Sequence, residues 1–234
     1  MIPTYEDLQH QFAAVGLSTR GGFHPASVDS LPDINGWPVQ TVIMLGFTGS
    51  QNWPAFTSSA EYHDGRANPL DRWSVRVVDA LALQLGGRAF YPSDGPPWWP
   101  FQQWARRALT LYASPLGVLI DQTFGLWHSY RAALALPVAI ALPAPSPWPN
   151  PCACCESKPC LSTCPVGAVQ PGAFGVDICR SYVRASAACS AGCLARRSCP
   201  VGAEHAYNPT QARFYMRAFA GADAVHMENR PPGR

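Results

Sequence analysis

Nine cysteines lie between Cys152 and Cys199, and none lies elsewhere in the 234 residues. They are Cys152, Cys154, Cys155, Cys160, Cys164, Cys179, Cys189, Cys193 and Cys199. Thiols crowded in this way hold metal, pair as disulfides or do redox chemistry. Two of them are followed by proline, and each Cys-Pro step leads into the same residues, Val-Gly-Ala (166–168 and 201–203). Matching ends imply two half-motifs, each contributing to one of two metal sites.

A four-iron cubane needs four convergent thiolates. Three close cysteines on a tight loop cap three irons and a distant one completes the set. The bacterial ferredoxin spacing is C-x2-C-x2-C-x3-C-P, and its fourth cysteine ligates the other cluster. The first half here reads C-x2-C-x4-C-x3-C-P over Cys152, Cys155, Cys160 and Cys164, with a two-residue insertion at or beside Lys158-Pro159. The second half reads C-x9-C-x3-C-x5-C-P from Cys179 to Cys199. Crossed ligation assigns one 4Fe–4S cluster to Cys152, Cys155, Cys160 and Cys199. The other falls to Cys164, Cys179, Cys189 and Cys193. Cys154 is the spare, although the spacing also lets it replace Cys152 or Cys155.

Three other readings stand beside this one. Disulfides need an oxidising compartment, and an odd number of cysteines with two of them adjacent pairs poorly. Zinc prefers two C-x2-C knuckles around a closed tetrahedral site, and only one C-x2-C is present. Inert buried cysteines have no reason to cluster.

The bulk properties narrow the partners. Formal net charge is +2 with no basic run, so no nucleic-acid footprint is expected. Charged residues make up 14%, below the roughly 25% of ordinary soluble domains, while tryptophan and proline number 8 and 24. Much apolar surface is therefore expected to be buried, or covered by a ligand or partner. The N-terminal residues show neither the basic region nor the apolar stretch of a secretory signal. No run of 18 apolar residues reads as a membrane span. A cytoplasmic, reducing location with no membrane attachment is expected, and it favours metal ligation over disulfides.

The elements that must position the cysteines are read from periodicity and caps. Thr4 to Asp7 reads as a capping box opening a helix that ends at Gly16. Thr41–Phe47 is an apolar run of strand length. Asn68 caps, and Pro69 opens, a helix running to Leu85. Its core stripe is read as Leu70, Trp73, Val77, Ala80, Leu81 and Leu85. A short strand at Ala89–Tyr91, an irregular loop from Pro92 to Pro100, a helix over Phe101–Leu111 and paired strands at Leu116–Asp121 and Leu126–Leu134 follow. Prolines crowd positions 137–151, which reads as a stiff connector. A last helix is expected from Pro209 to Ala220, using Phe214, Met216 and Phe219 for packing, with a mobile tail from Asn229. The resulting domains are residues 1–136, the connector 137–151, a cluster module 152–203, and a C-terminal helix and tail 204–234.

The order of these parts resembles epoxyqueuosine reductases and reductive dehalogenases, which place a corrinoid-binding, nitroreductase-like domain before a module with two 4Fe–4S clusters. Val176 to Tyr182 (VDICRSY) resembles the segment of epoxyqueuosine reductase whose cysteine ligates the second cluster, in agreement with Cys179. The N-terminal part is similar to CblC-type cobalamin-processing proteins. Asn68 to Trp73 resembles their Asp-Pro-Val-Asp helix start. Tyr91 to Trp104 and Leu116 to Leu136 resemble their proline-rich loop, helix and paired strands. The resemblance spans roughly residues 40–200. It implies an α+β protein: a nitroreductase/CblC-like α/β sandwich followed by a small bacterial-ferredoxin-like dicluster module. The repeat domain with which epoxyqueuosine reductase helps to hold tRNA is not found in these 234 residues, nor is a twin-arginine signal.

A corrin ring needs a wide apolar cleft with small polar groups at its rim. Tyr91, Ser93, Gly95, Trp98, Trp99, His128 and Tyr130 are the candidates, with packing as the bland alternative for the tryptophans and for His128. No Asp-x-His-x-x-Gly signature is present. The resemblance implies delivery of low-potential electrons from an external donor (ferredoxin, flavodoxin or a reductase) to a bound cobalamin, for its reduction or for loss of its upper ligand. The alternative is an electron-transfer module serving a partner oxidoreductase, with no corrinoid of its own. Reduction of an organic substrate at a bound flavin is a further option. Domains of the resembled types often pair, and the apolar surface permits a homodimer.

Overall fold

A computed structural model describes residues 2–221, so the tail from Asn229 lies outside the described residues. In chain order the first elements are α1 (Tyr5–Ala14), β1 (Ser18–Phe23), β2 (Thr41–Thr48), α2 (Trp53–Thr57), α3 (Ala60–His63), α4 (Pro69–Gln84), β3 (Arg88–Phe90), α5 (Phe101–Ala108), β4 (Tyr112–Ala113), β5 (Leu119–Ile120) and β6 (His128–Leu136). They are followed by α6 (Pro151–Cys154), α7 (Pro159–Ser162), β7 (Val169–Gln170), β8 (Ala173–Phe174), α8 (Val176–Ala185), α9 (Leu194–Arg197) and α10 (Pro209–Ala220). The chain divides into two compact units. Among the described residues the first comprises 2–64, 68–111 and 128–148; the second comprises 65–67, 112–127 and 149–221. Among the described residues no helix is long and apolar enough to cross a membrane.

The first unit is built on a four-stranded sheet in the order β1-β2-β6-β3, with every neighbouring pair antiparallel. All eight residues of β2 are buried, as the unbroken apolar run implies for a strand covered on both faces. Alternation along the strand divides the core. Val42 and Met44 face Trp104 and Phe101 of α5, together with Phe23, Phe90, Ala133 and Ala135. Phe47 points the other way and meets Trp73 of α4 edge-on, at 5.7 Å between ring centroids. The expected α/β sandwich of helix, sheet and helix is thus present in this unit.

Local chemistry explains where the helices begin. Thr4 and Asp7 form the expected capping box: the Thr4 hydroxyl accepts from the Asp7 amide and the Asp7 carboxylate accepts from the Thr4 amide. Asn68 does not cap α4 with its side chain. It enters the helix in a left-handed conformation, and Pro69 supplies the first turn. The buried stripe of α4 is Leu70, Trp73, Ser74, Val78 and Ala82, rotated by about one residue from the expected one. Ala80 is exposed and Val77, Leu81 and Leu85 are half-buried. The rotation follows from what α4 covers, since it packs on β6, β3 and α3 together.

One strand was not expected, and two expectations are corrected. β1 is a strand of Ser-Thr-Arg-Gly-Gly-Phe whose polar and glycine content hides it from any periodicity reading. The paired strands expected at Leu116–Asp121 and Leu126–Leu134 are not partners. Leu119–Ile120 pairs with Tyr112–Ala113, while β6 is an inner strand of the first unit's sheet. Asp121 breaks the run, because its carboxylate accepts from the amides of Thr123 and Phe124 and turns the chain. The proline-rich stretch is extended but tied down rather than spanning as a spacer. Thr41 donates its hydroxyl to the Val138 carbonyl and accepts from the Ile140 amide, and the Trp148 indole donates to the Thr110 carbonyl. Residues 137–148 therefore belong with the first unit.

The second unit is loop-rich. Its small apolar clusters are Trp127, Tyr207 and Ala212 with Tyr215, and Val183, Cys189 and Ala220 with Cys179, Tyr182, Leu194 and Met216. α10 packs against α8, so the final helix is part of the unit that carries the cysteines. Of its three expected packing residues, Met216 joins the cysteine cluster, while Phe214 and Phe219 are half-buried.

Candidate metal centres

Four thiols from distant parts of the second unit line one cavity. They are Cys164, beyond the end of α7, Cys179 in α8, Cys189 in the following loop, and Cys193 at the N-cap of α9. The remaining walls include Val169, Phe174, Leu194 and Met216, and the cavity holds about 320 Å³ not filled by protein atoms, solvent at its mouth included. Burial pushes the Cys179 thiol up to about 11, and the neighbouring Cys193, Cys164 and Cys189 push the same way. Cys193 is also raised by burial, and the backbone at Arg196 and Ala195 opposes the rise.

The other set is built on two one-turn helices. Asn150 caps α6 by accepting from the Cys152 amide at 3.0 Å, and Cys155 ends that turn. Lys158 adopts a left-handed conformation and Pro159 starts α7, which carries Cys160. The insertion that departs from ferredoxin spacing is therefore the start of a helical turn. Burial raises the Cys152 thiol, with further upward pressure from Cys199, Cys160 and Cys155 and relief from Lys158. Cys160 is raised by burial and then by Cys199 and Cys155. Burial raises Cys199 too, against the Val201 N–H that reaches its sulfur. Cys152, Cys160 and Cys199 are each pushed up by Cys155 as well. The thiol charges acting on Cys152, Cys160 and Cys199 come from one another and from Cys155, not from the exposed Cys154.

All nine cysteines are free. Among the described residues no three or more His, Cys, Asp or Glu side chains are gathered closely enough for a single metal ion. The four-thiol, apolar-walled cavity fits a cubane in donor type, donor number and exclusion of water.

The residues expected at a corrinoid fall into four groups. Tyr91 is buried and its hydroxyl donates to the Asp79 carboxylate at 2.7 Å, which with burial holds the phenol far above its ordinary range. Trp99 packs in the core of the first unit, stacked on Trp104 at 5.7 Å and edge-on to Phe90 at 4.8 Å. Ser93, Gly95 and Trp98 share an exposed loop, where Trp98 is 64% exposed and its indole lies over Gly95. His128 and Tyr130 are neighbours on one side of β6, ring edge to face at 5.8 Å, and Tyr130 leans on the same core as Trp99.

The sequence reading missed two features of the second unit. The apolar walls carry no motif, and the only available signal was apolar residues recurring between the cysteines. Arg196, read only as half of an isolated basic pair, lies between Trp127 and Tyr207 with its guanidinium carbon 4.8 Å and 4.6 Å from the ring centroids.

No protein-family model matches the chain, and no curated protein is significantly similar. Solved structures are. The chain resembles epoxyqueuosine reductase from Streptococcus thermophilus at 12% identity and a TM-score of 0.51, over 88% of this chain and 69% of that one. An epoxyqueuosine reductase solved with an epoxyqueuosine-modified tRNA stem loop aligns at 15% identity and a TM-score of 0.47, over 88% and 69%. At these identities the likeness concerns architecture. The chain shares the mixed α/β fold of the Streptococcus thermophilus protein, and the CblC likeness finds no counterpart among these structures.

Proposed function

We propose that this chain is an iron–sulfur redox protein that holds two 4Fe–4S clusters and supplies low-potential electrons to a corrinoid carried by its first unit. The observation that carries the reading is the cavity on which Cys164, Cys179, Cys189 and Cys193 converge. Such clusters, when bound, exchange single electrons over a wide range of negative potentials. The protein's part is to hold and tune them. Eight cysteines in two crossed sets are the ligands, and Cys154 is left out. The backbone at Ala195, Arg196 and Val201 opposes the upward shift of the Cys193 and Cys199 thiols. Apolar side chains keep water from the second set. A cytoplasmic setting, and an external ferredoxin, flavodoxin or reductase as donor, complete the proposal.

The second reading is an electron-transfer module serving a partner oxidoreductase without its own corrinoid. It is favoured by Tyr91 and Trp99, whose polar and apolar surfaces are already engaged by Asp79 and Trp104. The experiment that separates the two is addition of cob(II)alamin to anaerobically loaded protein. A saturable shift in the cobalamin spectrum supports the corrinoid reading. No shift, with the irons retained, selects the electron-transfer module. Because one structural neighbour is described with a tRNA stem loop, a tRNA stem loop belongs in the same titration. We propose that it does not bind, and saturable binding would overturn that part.

A further inference from the structure

We propose that a row of arginines along α10 is the docking surface for an acidic protein that carries single electrons to the four-thiol cavity. The inference deepens the two-cluster reading above and rests on it. The basic excess of the chain is confined to the second unit, whose described residues hold eight Arg or Lys against four Asp or Glu, while the first unit holds seven against nine. Part of that excess lines up. A Cβ on Gly192 would lie 3.1 Å from the Arg197 Nε and 3.4 Å from the Ala212 Cβ, which sets Arg197 beside the start of α10. Arg213 and Arg217 follow on α10 one turn apart, both exposed. Arg184 of α8 completes the row by donating its Nε to the Ala220 carbonyl. From Ala212 to Ala220 the row spans about 12 Å of helix. Met216, which precedes Arg217, lines the cavity together with the four thiols, as does Tyr182 of α8.

Among the described residues no carboxylate pairs with any of these four arginines. Asp177, exposed in the first turn of α8, is the one acid on α8, α9 or α10. Four like charges held along one helix repel each other, and an acidic partner relieves that repulsion. Val176, 41% exposed, stands on the same side of α8 as Arg180 and Arg184, and arginine beside apolar surface is the mixture that protein interfaces favour. One electron passes from the donor to the centre, and no bond forms or breaks. The plainer reading is solvated charge with a clasp, since Arg180 and Arg184 hold the end of α10 through the Phe219 and Ala220 carbonyls. A clasp predicts lost stability when Arg180 or Arg184 is cut. It predicts nothing for Arg213 and Arg217, so these two carry the test.

The test uses the full chain loaded anaerobically with iron and sulfide, and an acidic flavodoxin as the probe. Binding of oxidised flavodoxin is measured by calorimetry, and electron transfer from its hydroquinone by stopped-flow absorbance of the semiquinone formed. In R213E/R217E both the affinity and the second-order rate fall at least about tenfold at low salt, and the difference from the native chain vanishes at high salt. R88E/R106E changes net charge by the same amount at two exposed arginines of the first unit and keeps both values within about threefold. Melting temperature and iron content, measured on the same samples, stay at the native values in each variant. Three results overturn the proposal: no binding of flavodoxin to the native chain, an unchanged affinity in R213E/R217E, or an equal loss in both variants. A tRNA stem loop that binds the native chain and is lost in R213E/R217E assigns the row to RNA and overturns it too. A chain that fails to hold two clusters instead overturns the reading on which it rests.

Discussion

Gly167 and Gly202 occupy the same place in the two copies of Cys-Pro-Val-Gly-Ala, and both sit in the left-handed region, at φ 62° and 65°. Their surroundings differ. A Cβ on Gly167 would meet nothing within 4 Å, whereas one on Gly202 would lie 2.5 Å from the Gly125 nitrogen and 2.5 Å from the Phe124 carbonyl carbon. The contact is mutual, since a Cβ on Gly125 would fall 1.8 Å from the Val201 oxygen. Alanine in a left-handed conformation costs roughly 1–2 kcal/mol at either site. Gly202→Ala must also push two backbones apart, which adds about 1–3 kcal/mol. At about 2–4 °C per kcal/mol for a chain of this size, G202A melts roughly 2–12 °C below G167A. The assay is a thermal scan of both variants at one scan rate and equal iron loading, followed by tryptophan fluorescence. Equal melting temperatures would refute the claim that the second repeat is wedged against the Phe124–Gly125 turn while the first is open.

Other consequences are equally direct. C154S keeps the iron content of the native chain, whereas serine at Cys152, Cys155, Cys160 or Cys199 removes about half of it, as judged by iron analysis after anaerobic desalting. Glu61 accepts from Arg76 at 2.5 Å and 3.0 Å, and this pairing holds its carboxyl at about 2 against an ordinary 4.5. A depressed carboxyl contributes stability above its unfolded value and loses it as pH falls through the folded one. The contribution therefore disappears between about pH 4.5 and pH 2, and in E61Q stability measured by denaturant titration loses that part of its pH dependence. Trp104 is 1% exposed at the centre of the first unit, so W104A costs about 3–5 kcal/mol. W98A, at an exposed site, changes stability by no more than about 0.5 kcal/mol. If Trp98 roofs a corrin ring, W98A weakens cob(II)alamin binding in a spectral titration; unchanged affinity removes Trp98 from the site.

The sequence was most legible where chemistry fixes spacing. Two Cys-Pro-Val-Gly-Ala ends and the intervals between cysteines were enough to suggest two crossed groups, and one cavity is lined by Cys164, Cys179, Cys189 and Cys193. β2 was legible because an unbroken apolar run of strand length has few other uses. The first unit was harder. β1 has no periodicity to read, and α4 was misphased because its buried face is set by three partners at once. The segment 112–127 misled for a related reason. Its apolar residues satisfy a strand pattern, but Asp121 turns the chain locally and places the segment with the cysteine unit. Tyr91 and Trp99 carried the residue types a cofactor cleft would use, and only the fold shows that a carboxylate and a core tryptophan already occupy them. Arg196 was invisible for the opposite reason, since the rings that hold it come from positions 127 and 207.

The central claim is that two thiol sets each hold a four-iron cluster. Iron and acid-labile sulfide measured on the anaerobically reconstituted chain test it most directly. The account predicts about eight of each per chain, falling to about four when Cys179 or Cys193 is replaced by serine. About four irons in the native chain, or zinc in their place, would contradict it.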